Sequence, residues 1–344
     1  MLNAKENMRE VIKGGNPERF VNQYEAIQLL FTPTVFHDAL LQPGMENVKN
    51  AWGVTNSFPE GVPGQFPVHT PDKIVVQDIE HWKDYVHAPS LDFPEEEWGK
   101  VKEMYDAVDG SRAFKATFIA PGLFEQSHHL CEISNALMYY IEYEDEMHDL
   151  IKYLTEYELK LAELVCSHLK PDALFHHDDW GGERSTFMSP AMFEDFFVDA
   201  YKQIYGYYKD HGVELVFHHS DSYAATFVPA MIEMGIDVWQ GPMRSNDVPG
   251  LIKKYGGKIS FMGDIDNKYV DFEGWTKEDC RRAAIESMES CGMKYYIPCI
   301  TQGGPGSVYK GSYQALADCI DEYNKEKFGV EVTDDFRLPL QIMF

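Results

Sequence analysis

An α/β fold, a (β/α)8 TIM-type barrel with an irregular N-terminal extension, follows from three observations. Six short apolar runs alternate with helix-length stretches across the second two thirds of the chain, the pattern of a parallel sheet with helical crossovers. Nearly every run ends in a polar tip, as strands do at the mouth of a barrel. No Gly-x-Gly-x-x-Gly follows the first of these runs, and the polar tips are not confined to one pair of strands. Both facts disfavour an open doubly wound sheet.

The first ~110 residues are the least regular. Residues 4–13 predict a short helix, and Phe20 to Ile27 a strand. Residues 50–58 alternate as a second strand before a loop rich in turn formers from Pro59 to Pro67. The segment 95–109 predicts another helix. Ala116 to Ala120 begins the regular part, and a single long helix is predicted over roughly 125–169. Ala173-Leu174-Phe175 is the next strand, and it runs into His176-His177-Asp178-Asp179. Ser189-Pro190 has the chemistry of a helix start, and Gly212 closes that helix. Leu215-Val216-Phe217 then ends in His218-His219-Ser220-Asp221. Val238-Trp239, Ile259 to Met262 and Tyr295 to Cys299 supply the remaining runs, with a capping-box start at Thr276 before the last. The strands at 20–27 and 50–58 would bring the count to eight. The chain is expected to form one domain over 1–344, with helices, loops and first strands in 1–110 and strand-helix repeats in 111–344.

The formal net charge of −26, with only 30 Lys and Arg in 344 residues, excludes nucleic acid and an anionic membrane as natural partners. No stretch has the layout of a signal peptide, and no apolar run approaches the roughly 18 residues of a membrane span. The six cysteines lack paired short spacings, which fits a reducing, cytoplasmic location.

His219 and Asp221 stand two apart at a strand end, so an extended backbone puts them on one face. Cys299, at the tip of a later strand, would converge on the same mouth. A His/Asp/Cys set with an open position is what a catalytic zinc uses. The competing reading has hydrogen-bonded strand-end histidines and a thiol acting as a small core hydrophobe. His177, Asp178 and Asp179 form the second polar cluster, able to supply a general acid or to clamp substrate, or else simply a solvated strand exit. Asp264 and Asp266 can orient substrate or make Asx turns. Gly303-Gly304-Pro305-Gly306-Ser307 lacks the Lys-Ser/Thr of a phosphate-binding loop. It fits better as a turning loop at the mouth. His128 and His129 are expected on a helix surface.

Several stretches together resemble the uroporphyrinogen decarboxylase superfamily. They are Asp178-Asp179-Trp180-Gly181, Ser189-Pro190-Ala191-Met192-Phe193, Phe217-His218-His219-Ser220-Asp221, Pro229 to Asp237, and Met262-Gly263-Asp264-Ile265-Asp266. The resemblance covers about residues 113–325, with Trp52-Gly53-Val54 a fainter upstream echo, and implies a (β/α)8 barrel. Decarboxylases of the superfamily carry an arginine-rich N-terminal stretch that grips porphyrinogen carboxylates. Here Pro17 to Tyr24 has one arginine, so the corrinoid-dependent methyltransferase branch fits better. That branch implies zinc on a strand-end His-x-Cys and a later cysteine, which maps onto His219, Asp221 and Cys299. A shifted alignment would use His218 and Ser220, but a neutral serine is a poor zinc ligand. Aspartate in place of cysteine hardens the site and suits an oxygen substrate such as a methyl ether. The implied partners are a small methylated substrate and a corrinoid (cobalamin) on a separate protein, with Asp178 or Asp179 as proton source. Methyl transfer with tetrahydrofolate, decarboxylation, and a non-catalytic corrinoid or small-molecule binder are the alternatives.

Overall fold

The computed structural model describes residues 1–38, 41–62, 64–303 and 308–333. The chain opens with α1 (Ala4–Lys13), where the Asn3 side chain caps the helix, Glu6 reciprocates, and Gly14 in the left-handed region ends it. The expected strand at 20–27 forms only from Ile27, as β1 (Ile27–Leu30). The preceding residues turn instead, because a buried Arg19–Glu25 ion pair ties residues six apart and Gln23 takes a positive φ. The second upstream candidate is not in the barrel. Its residues 55–58 form β3 (Thr55–Phe58), between β2 (Met45–Lys49) and β4 (Phe66–Pro67), in a separate antiparallel sheet.

After α2 (Glu95–Ala107) and β5 (Phe114–Ile119), the predicted long helix is three: α3 (Leu123–Cys131), α4 (Ile133–Glu142) and α5 (Glu144–His168). The first break falls at Glu132, which has φ +71° and whose carboxylate caps the backbone of Ser134 and Asn135. An acidic side chain that serves as a cap gives no break in apolar periodicity. β6 (Ala173–His177) leads to α6 (Pro190–Phe193), a five-residue π-helical segment over Glu194–Val198, and α7 (Asp199–Asp210). Then come β7 (Leu215–His219), α8 (Val228–Met234), β8 (Val238–Gln240), α9 (Val248–Tyr255), β9 (Ser260–Ile265), α10 (Lys277–Cys291), β10 (Tyr296–Ile300) and α11 (Ser312–Phe328).

Among the described residues seven strands pair in parallel in the order β1-β5-β6-β7-β8-β9-β10, a curled TIM-like sheet. Its two edges are tied through Gln23, whose N–H donates to the Pro298 carbonyl (3.2 Å) and whose Oε1 accepts from the Ile300 N–H (3.4 Å). The strands are buried almost throughout, as parallel strands covered by helices must be. Phe118, Phe175, Phe217 and Tyr24 pack ring against ring, with centroids 6.0–6.2 Å apart. Phe175 also stacks on His219, so this aromatic layer is the floor on which the polar tips stand. No described helix is long and apolar enough to cross a membrane.

Candidate active site

β6 and β7 run in register, with His176 beside His218 and His177 beside His219. Because strand side chains alternate, the inner and outer members of each His-His pair are sorted together. His176 and His218 face outward. His218 stacks on Trp180 (centroids 3.8 Å), accepts from the Tyr205 hydroxyl at Nδ1 (2.9 Å), and donates from Nε2 to the Asp178 carbonyl (3.2 Å). Ser220 is engaged with the Trp180 N–H and the Ser222 hydroxyl. The His218/Ser220 alternative therefore lies off the cavity.

His177 and His219 face inward, their rings stacked with centroids 4.4 Å apart. The next inward positions are Asp179 and Asp221, joined by the Asp221 N–H donating to Asp179 Oδ1 (3.0 Å). Two adjacent strands thus end in the same His-x-Asp pair. The outer nitrogen of each imidazole is held: His177 Nδ1 by Glu125 Oε2 (2.8 Å), and His219 Nδ1 by Gln240 Oε1. Each accepting oxygen engages the Nδ1 proton and fixes the ring so that Nε2 is the atom offered to a ligand, as second-layer partners of metal-binding histidines do; a metal would displace the second proton of His177. Donor atoms of His177, Asp179 and His219 lie within 4.8 Å of one another, and His219 Nε2 is 4.0 Å from Asp221 Oδ2. A small inward movement would bring them to the roughly 2.0–2.2 Å bonds of one ion.

Electrostatics divides His177, His219 and Asp221. Burial depresses His177, but Glu125, with its charge and hydrogen bond, outweighs it and raises the imidazole to about 10. Burial and the neighbouring His177 lower His219 to about 4. Burial and then the charge of Asp179 push Asp221 well above the usual carboxylate range. Two carboxylates this close do not both ionise readily.

The other expected site residues lie elsewhere. Asp178 is completely buried beneath the tip. Its carboxylate accepts from the Phe124 and Glu125 N–H groups (3.1 and 2.8 Å), Trp180 Nε1 (2.8 Å) and the Tyr201 hydroxyl, anchoring the start of α3. Gly122 is required there, since a Cβ would come within 2.5 Å of Asp178 Cβ. Cys299 is buried behind Gln240, with Gln240 and Tyr24 as hydrogen-bond partners, and burial pushes its thiol well above the ordinary range. It belongs to the support of His219 rather than to the cavity wall. Asp264 is bonded to the Ser287 hydroxyl (2.6 Å), and Asp266 accepts from the Arg244 N–H (2.7 Å). Gly303 reaches the cavity wall, while 304–307 lie outside the described residues.

The cavity above these tips measures about 810 Å³. Phe31, Trp52, Phe66, Phe93, Phe118 and Tyr157 supply aromatic wall, and Asp38, Glu158 and Asp271 add carboxylates to those of the strand tips. Among the described residues no lysine or arginine lines it. Gln126, also on the wall, has a buried Nε2 without a hydrogen-bond partner among the described residues. Glu125, Gln126 and Gln240 were not singled out from the sequence. Gln240 had a signal, being the polar tip of the Val238-Trp239 run. Glu125 had one too, standing three and four residues before His128 and His129.

The model of the family described as "Uroporphyrinogen decarboxylase (URO-D)" matches residues 48–323. Among solved structures, a methyltransferase from Methanosarcina mazei aligns with a TM-score of 0.64 at 13% identity, over 94% of this chain and 99% of that one. The two share a fold. No curated protein matches the chain.

Proposed function

The chain belongs to the uroporphyrinogen decarboxylase family, and from that premise we propose that it is a zinc-dependent methyltransferase, moving a methyl group between a small methylated substrate and a corrinoid carried by a partner protein. The observation that carries this reading is the cavity wall. It offers aromatic surface and carboxylates and, among the described residues, no lysine or arginine, so a carboxylate-rich porphyrinogen would meet repulsion. The likeness of fold to the Methanosarcina mazei methyltransferase points the same way.

His177, His219 and Asp179 are the residues that would hold zinc, a mixed nitrogen and oxygen donor set with room for substrate. Such an ion would supply Lewis acidity to the heteroatom that carries or receives the methyl group. Glu125 and Gln240 hold Nδ1 of the two imidazoles, so Nε2 of each would face the ion once His177 releases its second proton. Asp221, whose carboxyl burial and the charge of Asp179 push above the usual carboxylate range, is placed to give a proton to a leaving oxygen. The Gln126 amide N–H can orient that oxygen, and the aromatic wall excludes water from it. An uncharged methyl ether suits this combination. The six unpaired cysteines fit a cytoplasmic setting.

The test is elemental analysis of the purified chain together with incubation with cob(I)alamin and a panel of methyl donors, following methylcobalamin by its spectrum. Metal retention and methylcobalamin formation, both lost in His219→Ala, are the expected results. Full metal content and turnover in that variant, or porphyrinogen decarboxylation by the wild type, would overturn the reading.

A further inference from the structure

Glu125, His128 and His129 stand at positions i, i+3 and i+4 of α3, the spacing that brings side chains to one helix face. Their donor atoms lie within 4.8 Å of one another. Two features set this cluster apart from an ordinary helix surface. The Nδ1 of His128 is shut off from solvent and has no hydrogen-bond partner among the described residues, a cost that a structural histidine normally avoids. Glu125 and His129 lie on the cavity wall, so the cluster opens to the space that the strand tips face. A glutamate and a histidine three apart on a helix are a recurrent way of presenting a mixed carboxylate-imidazole set to a metal.

We propose that Glu125, His128 and His129 form a second divalent-cation site, separate from the His177/Asp179/His219 set and joined to it by the Glu125–His177 hydrogen bond. Glu125 Oε2 accepts from His177 Nδ1, and the carboxylate also takes the Asp179 N–H; with about four lone-pair sites on its two oxygens it keeps acceptor capacity for the second ion. One carboxylate therefore serves both positions: it orients a ligand of the first and is itself a ligand of the second. The wall facing it lacks lysine and arginine among the described residues. Asp178 holds the backbone of Glu125 from below, so the first ligand of the set rests on a rigid support.

The proposal takes a zinc site at the strand tips as its neighbour, and its test separates the two. The full chain is stripped with chelator and titrated with Zn2+ by calorimetry, and with Co2+ by its visible absorption. Two ions per wild-type chain are expected, and one in His128→Asn/His129→Gln, with circular dichroism confirming the fold. His219→Ala should also bind one, with a Co2+ spectrum distinct from that of the helix variant. A wild-type stoichiometry that the helix variant leaves unchanged would overturn the second site, whatever becomes of the first. One ion per wild-type chain, lost in either variant, would overturn it too, since the two sets would then be a single site. The single variant His129→Gln, on the cavity wall, repeats the comparison should the double variant fold poorly, and undiminished binding in it would likewise count against the site.

Discussion

The imidazoles of His177 and His219 lie stacked 4.4 Å apart on neighbouring strands, yet each is tethered at Nδ1 to a different element: His177 to Glu125 of α3, His219 to Gln240 of β8. Parallel register sets the stacking, and the tethers set which ring nitrogen faces the cavity. Removing a tether should therefore weaken metal binding without removing a ligand. Gln240→Leu is expected to lower zinc affinity about 10–100-fold while leaving the stoichiometry intact at saturating metal, as loss of a second-layer partner does. Competition with a chromophoric chelator reads the difference. Unchanged affinity would mean that the Gln240 bond does not orient His219.

Asp178 makes a different kind of prediction. Its buried carboxylate satisfies two backbone N–H groups, an indole and a phenol. Asp178→Ala leaves those donors without a partner and is expected to cost about 3–5 kcal/mol of stability. Asp178→Asn keeps some acceptor capacity and should cost less. Denaturant unfolding measures both. If Asp178 instead supplied the proton in turnover, Asp178→Asn would stay stable and lose activity outright.

Much of this was legible in the sequence, and the failures have local causes. The six regular runs from 113 onward are observed as strands because they are buried on both faces and carry a near-continuous apolar signal. Phe20 to Ala26 failed because a buried ion pair and a positive φ at Gln23 turn a stretch whose composition suits a strand. Residues 55–58 are extended as expected, but pairing partners are a property of the fold and not of the segment. At the site, the His-His pairs marked both strand tips, and period 2 put His219 and Asp221 on one face. That His177 and Asp179 share this face depends on the β6–β7 register, which neither strand specifies alone.

Cys299 gives a sharper test of the ligand set. Its thiol sits behind Gln240 and is bonded to that side chain and to Tyr24. Cys299→Ala is expected to keep its metal, with affinity reduced less than about tenfold through a looser Gln240. The Co2+-substituted wild type should show no sulfur-to-cobalt charge-transfer band. Loss of metal from a folded Cys299→Ala protein would return the cysteine to the ligand set.

The last prediction concerns pH and a carboxyl away from the cavity. Asp264, at φ +67° near the end of β9, is raised to about 6 from its usual 3.8, by burial first, against the opposing pull of the Ser287 hydroxyl and Arg244. A carboxyl raised in the folded state still holds its proton where the unfolded chain has lost it. The protein is therefore favoured at low pH by this group, loses that contribution as pH climbs from about 4 to about 6, and shows no further change above. The whole step is on the order of 3 kcal/mol. Asp264→Asn is neutral at every pH and should flatten that slope while keeping an acceptor for Ser287. Urea unfolding at pH 4, 5, 6 and 7 compares the two chains. An identical slope in both would show that Asp264 titrates normally in the folded protein, with Arg244, 4.0 Å away, compensating its burial in full.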